Sequence, residues 1–168
     1  RHTAFHHYLA RCGRREFRNK AGARGLKSYQ TIGMSLEIRH REREGIVVLH
    51  LSGRITVGQE AASLREAVRS HAEAGRKNVI LRLDEVDYID STGLGALVIC
   101  ATSLRKQGGN LKLVNLNKRN LELLVITKLA TVFDLYNDEQ DAVNSFFPGR
   151  EIKQFDILSF VQQLEREE

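Results

Sequence analysis

Tryptophan is absent from this 168-residue chain, which holds one proline, one methionine and two cysteines. The two thiols, Cys12 and Cys100, stand far apart and match no metal-ligand or redox spacing. Cys100 falls inside an apolar helical pattern and reads as a buried structural thiol, and nothing points to an oxidising compartment. No apolar run approaches the ~18 residues that cross a bilayer, so a cytoplasmic protein is expected. Enzyme signatures are missing too. There is no P-loop and no Gly-x-Ser-x-Gly elbow, and Gly93 and Gly95 begin a dinucleotide fingerprint that Val98 fails to complete. His40, His50 and His71 lie within periodic segments or at their edges and read as strand or helix surface residues, not as general bases. Acidic residues are plentiful, yet no two His or Cys residues cluster with them. No enzyme activity, cofactor or metal is expected.

The net charge of +5 is unevenly spread. Residues 1–33 carry eight Lys or Arg against one acid, Glu16, a balance of +7 that leaves −2 for residues 34–168. A nucleic-acid binder would carry its basic residues on the folded surface, and here they precede it. Residues 1–33 show no sustained periodicity and read as a basic extension without regular structure, upstream sequence in frame or a disordered tail. An Arg-rich, acid-poor start resembles a transit peptide, but the first methionine is Met34. His2, His6 and His7 have a helical ligand spacing, but with no Cys or carboxylate beside them a metal site is not expected.

From Leu36 the pattern is orderly. Ile46–Leu51 is rich in β-branched residues and reads as a strand, paired antiparallel with Leu36–Arg43 across Glu44-Gly45. Glu60–Ala74 sets Leu64, Ala67, Val68 and His71 on one helical face before Gly75. Asn78–Leu83 is a nearly continuous apolar run, as an interior strand requires. Thr92–Lys106 places Leu94, Leu97, Val98, Ala101 and Leu104 in a core stripe, with Gly108-Gly109 as the stop. Leu111–Leu116 reads as a strand, Asn117 as the cap of a third helix, Phe133–Tyr136 as a short last strand and Asp138–Phe147 as a helix. Strands alternating with helices give an α/β fold, a mixed four- to five-stranded sheet with about four helices packed against it. Beyond Pro148-Gly149 an extra amphipathic helix shows Ile157, Phe160, Val161 and Leu164 on one face. That face is expected to dock on its own domain, the alternatives being a partner or a second copy in a homodimer. Three regions follow: the extension 1–33, the domain 34–147 and the helical tail 148–168.

One stretch concentrates unusual features: Leu83-Asp84-Glu85-Val86-Asp87-Tyr88-Ile89-Asp90-Ser91-Thr92-Gly93-Leu94-Gly95. It follows a buried strand and opens a helix. Ser91 stands where an N-cap is expected. Gly93 and Gly95 each weaken the first helical turn by roughly 1 kcal/mol relative to Ala, a cost that implies close backbone approach by a ligand or partner, or else tight helix–sheet packing. Asp90-Ser91-Thr92-Gly93-Leu94-Gly95 and the residues before it closely resemble the signature of STAS domains, and more narrowly of bacterial anti-sigma factor antagonists. The likeness runs from about Leu36 to Phe147 and includes Leu51-Ser52-Gly53-Arg54-Ile55 and Gly108-Gly109-Asn110-Leu111-Lys112-Leu113.

That resemblance implies a STAS-type fold and a phosphorylatable binding switch. The hydroxyl after the motif Asp is the family's phosphoacceptor, which carries over to Ser91, with Thr92 the lesser target. The implied partners are an anti-sigma factor serine kinase and a serine phosphatase, in a partner-switching pathway that regulates transcription. The expected contact surface is Asp90, Ser91, Thr92, Gly93, Leu94 and Gly95, with Ile99 on the outward side of the helix, Ala96 and Ser103 flanking it, and Thr56. Many relatives carry an acidic residue where Thr56 stands. STAS domains also brace the ATPases of lipid-transport assemblies without being phosphorylated, which is the rival reading; a ligand-sensing module is another, for which no phosphate cradle or aromatic cage speaks.

Overall fold

The computed structural model describes residues 15–18, 27–30, 36–153 and 155–167; Cys12, His2, His6 and His7 lie outside them. The apolar run starting at Ile46 sends Val47, Leu49 and Leu51 to one side of the sheet and Ile46 and Val48 to the other, because successive strand residues alternate faces. Both faces are therefore buried, which is why the sequence reads as continuous rather than alternating. Leu36–Arg43 (β3) and Ile46–Ile55 (β4) pair antiparallel. Asn78–Ile89 (β5), Asn110–Val114 (β6) and Asp134–Tyr136 (β7) then add in parallel in that order. These five strands make the mixed sheet expected from the pattern. Two four-residue strands from the basic extension, Arg15–Arg18 (β1) and Lys27–Gln30 (β2), continue it antiparallel beyond β3. Strands this short pair through their backbones, so they leave no periodicity for a sequence reading to find.

Three helices cover the larger core face: Gln59–Glu73 (α1), Ser91–Lys106 (α2) and Lys118–Ile126 (α3). Leu64, Val68, Leu97, Leu104 and Leu124 meet Leu49, Leu51, Leu81 and Leu83 there. Glu139–Asn144 (α4) covers part of the opposite face through Ala142 and Val143, against Ile46, Val48, Ile80, Val114 and Tyr136. Glu139, also on α4, is buried and takes Arg41 and Arg43 from β3, with Arg82 of β5 at 3.7 Å. Burial works to raise the Glu139 carboxyl, but Arg43 and Arg41 outweigh it and hold the group below its ordinary value. The tail helix, Ile157–Glu167 (α5), packs on the larger core through Phe155, Ile157 and Phe160. Its end is held by Lys118 Nζ, 2.7 Å from Glu167.

Cys100 is buried, and burial pushes its thiol up to about 12, so it is inert. His40 and His71, expected on the surface, instead face each other between β3 and α1 with ring centroids 4.5 Å apart, His40 buried and His71 half-buried.

Candidate partner-binding site

Parallel strands β5 and β6, and β4 beside them, end at one edge of the domain, and each hands over to a helix there. α2 begins at that edge, and its N-cap is Asp90, one residue earlier than the sequence suggests. Asp90 is in extended conformation, and its Oδ1 accepts from the backbone N–H of Gly93 at 2.7 Å. A carboxylate is a strong cap because it also balances the positive end of the helix dipole. Ser91 is thereby freed from the capping role expected of it. It is the first residue of the helix and is exposed, as is Thr92.

The other oxygen of Asp90 does a second job. Oδ2 accepts from the backbone N–H of Val57 at 2.8 Å, and the Asp90 backbone N–H donates to the Ile55 carbonyl at 3.2 Å. One residue thus fastens the start of α2 to the turn Thr56-Val57-Gly58 that ends β4 and opens α1. Thr56 is half-exposed and its carbonyl accepts from the Ala61 N–H at 3.1 Å. Through Val57 and Asp90, Thr56 and Ser91 are brought to the same corner.

The two glycines of the motif serve different ends. A Cβ on Gly93 would lie 2.1 Å from the Ile55 carbonyl oxygen, so a bare backbone is what lets α2 sit this close to β4. A Cβ on Gly95 would meet nothing within 4 Å. Leu94 is buried in the core, as the expected stripe requires, and Gly93 is buried against β4, so neither is open to a partner as the expected contact surface had it. Ala96 is buried too, which removes it from the outward flank assigned to it. Ile99 is 51% exposed. It rims a groove of about 520 Å³ between α1 and α2, lined among others by Ala62, Arg65, Arg69, Cys100 and Ser103. Two more apolar side chains are exposed near the corner: Val57, 68% exposed, and Tyr88, with the Arg119 guanidinium 5.1 Å from its ring centroid. Neither was legible in sequence. A valine after a strand looks like the end of the strand, and only the Asp90 bond shows that Val57 belongs to the site.

A profile of the family described as STAS domain matches residues 37–142. The chain belongs to the STAS domain family. Over 102 residues it is 36% identical to the anti-sigma-B factor antagonist of Bacillus subtilis (strain 168), covering 61% of this chain and 92% of that protein. Among solved structures, an anti-sigma factor antagonist from Mycobacterium paratuberculosis superposes with a TM-score of 0.59 at 23% identity, over 66% of this chain and 93% of that one. The anti-sigma factor antagonist SpoIIAA in its unphosphorylated form gives 0.58 at 16% identity, over 68% and 99% of the two chains. The structure of the Bacillus cell fate determinant SpoIIAA in the phosphorylated form gives 0.52 at 16% identity, over 65% and 98%. These structural likenesses speak for the shared fold.

Set on the STAS scaffold, three of the acidic residues ahead of Ser91 have distinct surroundings. Asp90 belongs to the corner just described. Asp84 and Glu85 are engaged with β4 instead. His50 Nε2 lies 3.5 Å from Asp84 Oδ1 and 3.6 Å from Glu85 Oε2, and Ser52 Oγ donates to Glu85 Oε2. The hydroxyl of Ser52 and then the nearby His50 hold the Glu85 carboxyl below its ordinary value. Among the described residues, no helix is long and apolar enough to cross a membrane.

Proposed function

We propose that this STAS protein is an anti-sigma factor antagonist that works by binding, not by catalysis, and that Ser91 is its switch. In the unphosphorylated state it binds an anti-sigma factor that is also a serine kinase, and so frees a sigma factor. Phosphorylation of Ser91 by that kinase ends the complex, and a serine phosphatase restores it. The observation that carries this reading is the Ser91 hydroxyl, exposed on the first residue of α2 beside a carboxylate held in place by two backbone N–H groups. Asp90 has one oxygen on Gly93 and the other on Val57.

A phosphate would bring about −1.5 to −2 charge to that hydroxyl. Within the domain, the positive end of α2 tolerates it. At an interface shaped for a neutral hydroxyl, with Asp90 adjacent, like-charge juxtaposition costs several kcal/mol, and each ~1.4 kcal/mol is tenfold in affinity. Val57 and the open space over Gly95, with Ile99 two turns further along α2, supply an uncharged contact surface. Incubation with the kinase partner and Mg-ATP, followed by mass spectrometry, should find phosphate on Ser91. Ser91→Ala should bind the kinase and resist release, and Ser91→Asp should bind it more weakly. A chain that acquires no phosphate on Ser91 or Thr92, and whose Ser91→Asp variant binds like the wild type, is not such a switch.

A further inference from the structure

We propose that His50, Asp84 and Glu85 form a binding site for a divalent metal ion of the zinc class, on the sheet face opposite α2. His50 projects from β4 to the side where Arg82 of the neighbouring strand meets Glu139 of α4. Its Nε2 is buried and has no hydrogen-bond partner among the described residues. A buried imidazole nitrogen without a hydrogen bond is costly, and the two carboxylates it faces lie at ion-pair and not hydrogen-bond distance. One ligand atom from each of the three side chains lies within 4.8 Å of the others.

The spacing suits a metal better than it suits hydrogen bonds. A tetrahedral ion holding ligands at about 2.0–2.1 Å sets them about 3.4 Å apart, and the His50 nitrogen lies 3.5 and 3.6 Å from the two carboxylate oxygens. Those separations are long for an N–H···O bond. Two carboxylates supply charge of the sign a dication needs, of which Arg82, 3.4 Å from Asp84, offsets part. An imidazole in the set favours zinc-like ions over magnesium or calcium, which prefer oxygen throughout.

A backbone irregularity creates the cluster. His50 pairs with Arg82, but Ser52 pairs with Glu85, so three steps of β5 run opposite two of β4. Consecutive strand residues otherwise point to opposite faces. The bulge lets both Asp84 and Glu85 reach His50, and bulges commonly re-aim side chains in this way. Each carboxylate is steadied by a second group, as ligands of a metal usually are. Ser52 Oγ donates to Glu85 Oε2, and Arg82 Nη2 lies 3.4 Å from Asp84 Oδ2, leaving Oδ1 for the ion.

The full chain, stripped with EDTA and titrated with Zn²⁺ alone by calorimetry, tests the site against His50→Gln and Glu85→Gln. The wild type should take up one more equivalent than either variant, or bind that equivalent at least tenfold more tightly. Zinc held by His2, His6, His7 or Cys12 would persist in all three proteins and so drop out of the comparison. Glu85 is exposed, so Glu85→Gln should keep the fold even if His50→Gln does not, and circular dichroism checks both. Zn²⁺ should also raise the thermal midpoint of the wild type more than that of Glu85→Gln. Equal stoichiometry and affinity in wild type and Glu85→Gln, or no saturable binding to the wild type, would overturn the proposal.

Discussion

Two glycines two positions apart in α2 should respond oppositely to the same substitution. Gly93→Ala would put a Cβ 2.1 Å from the Ile55 carbonyl oxygen, and since such contacts essentially never fall below 3.0 Å, the two must separate by about 0.9 Å. Overpacking of this kind costs about 1–3 kcal/mol. The same shift strains the bond from the Asp90 N–H to the Ile55 carbonyl, a further loss of about 0.5–1.5 kcal/mol. Against both stands a gain of only about 0.5–1 kcal/mol from replacing glycine within a helix. The balance is a loss of roughly 0.5–4 kcal/mol, centred on about 2 kcal/mol, which is about 4–8 °C in a thermal scan of a chain this size. Gly95→Ala meets no neighbour within 4 Å and keeps the helical gain, a rise of about 2–4 °C. If a partner packs on this turn, Gly95→Ala should bind it more weakly while being the more stable protein. Thermal unfolding by circular dichroism and partner affinity by calorimetry read both quantities. A Gly93→Ala midpoint at or above wild type would refute the close approach of α2 to β4, and unchanged affinity in Gly95→Ala would remove the first turn of α2 from the interface.

The capping assignment predicts that Asp90→Ala loses about 0.5–2 kcal/mol, whereas Ser91→Ala, at an exposed position that caps nothing, stays within about 0.5 kcal/mol of wild type; urea unfolding compares them, and the reverse order would return the cap to Ser91. Burial, then His40 and Arg76, depress His71 from 6.5 to about 4, with Glu42 opposing. The folded state therefore binds fewer protons than the unfolded one between those values, so stability is full above pH 6.5 and falls as the pH drops toward 4. Because the ring is half-exposed, solvent screening reduces the loss to about 1–2 kcal/mol. Unfolding free energies from urea titrations at pH 7.5 and 4.5 should differ by at least that much in the wild type and by less in His71→Leu. Deleting residues 150–168 uncovers the apolar surface under Phe155, Ile157 and Phe160 and should lower the thermal midpoint by several degrees; unchanged stability with lost partner capture would assign α5 to an interface instead.

The core was legible because its signals are long. The stripe Leu94, Leu97, Ala101 and Leu104 and the double-sided runs of β4 and β5 leave few alternatives to a helix on a two-faced sheet. Asn117 was legible as a cap, and its side chain does accept from Asn120 N–H at 2.8 Å. The cap of α2 was harder to read, since Asp90 and Ser91 are both good caps and only the backbone, extended at Asp90, separates them. Val57, Tyr88 and Arg119 escaped because their place depends on which loops share a corner, a property of the parallel crossovers and not of local pattern. The His50 cluster escaped because a bulge defeats the period-two rule that assigns Asp84 and Glu85 to opposite faces. Gly93 resolves the ambiguity that the sequence leaves at this motif in favour of helix–sheet packing, and Gly95 does not.

Asp90 also means that a chemical event at one chain segment is mechanically shared with another. Its carboxylate is a rivet through two pieces of backbone, at Val57 and Gly93, that are 36 residues apart in sequence. New negative charge on Ser91 pushes on that rivet, and relief by rotation would release Val57 or Gly93. A partner touching only residues 56–58 would thus sense the state of Ser91 without reaching it, and the substitution that best uncouples the two would be Val57→Pro, which removes the backbone N–H that Asp90 holds.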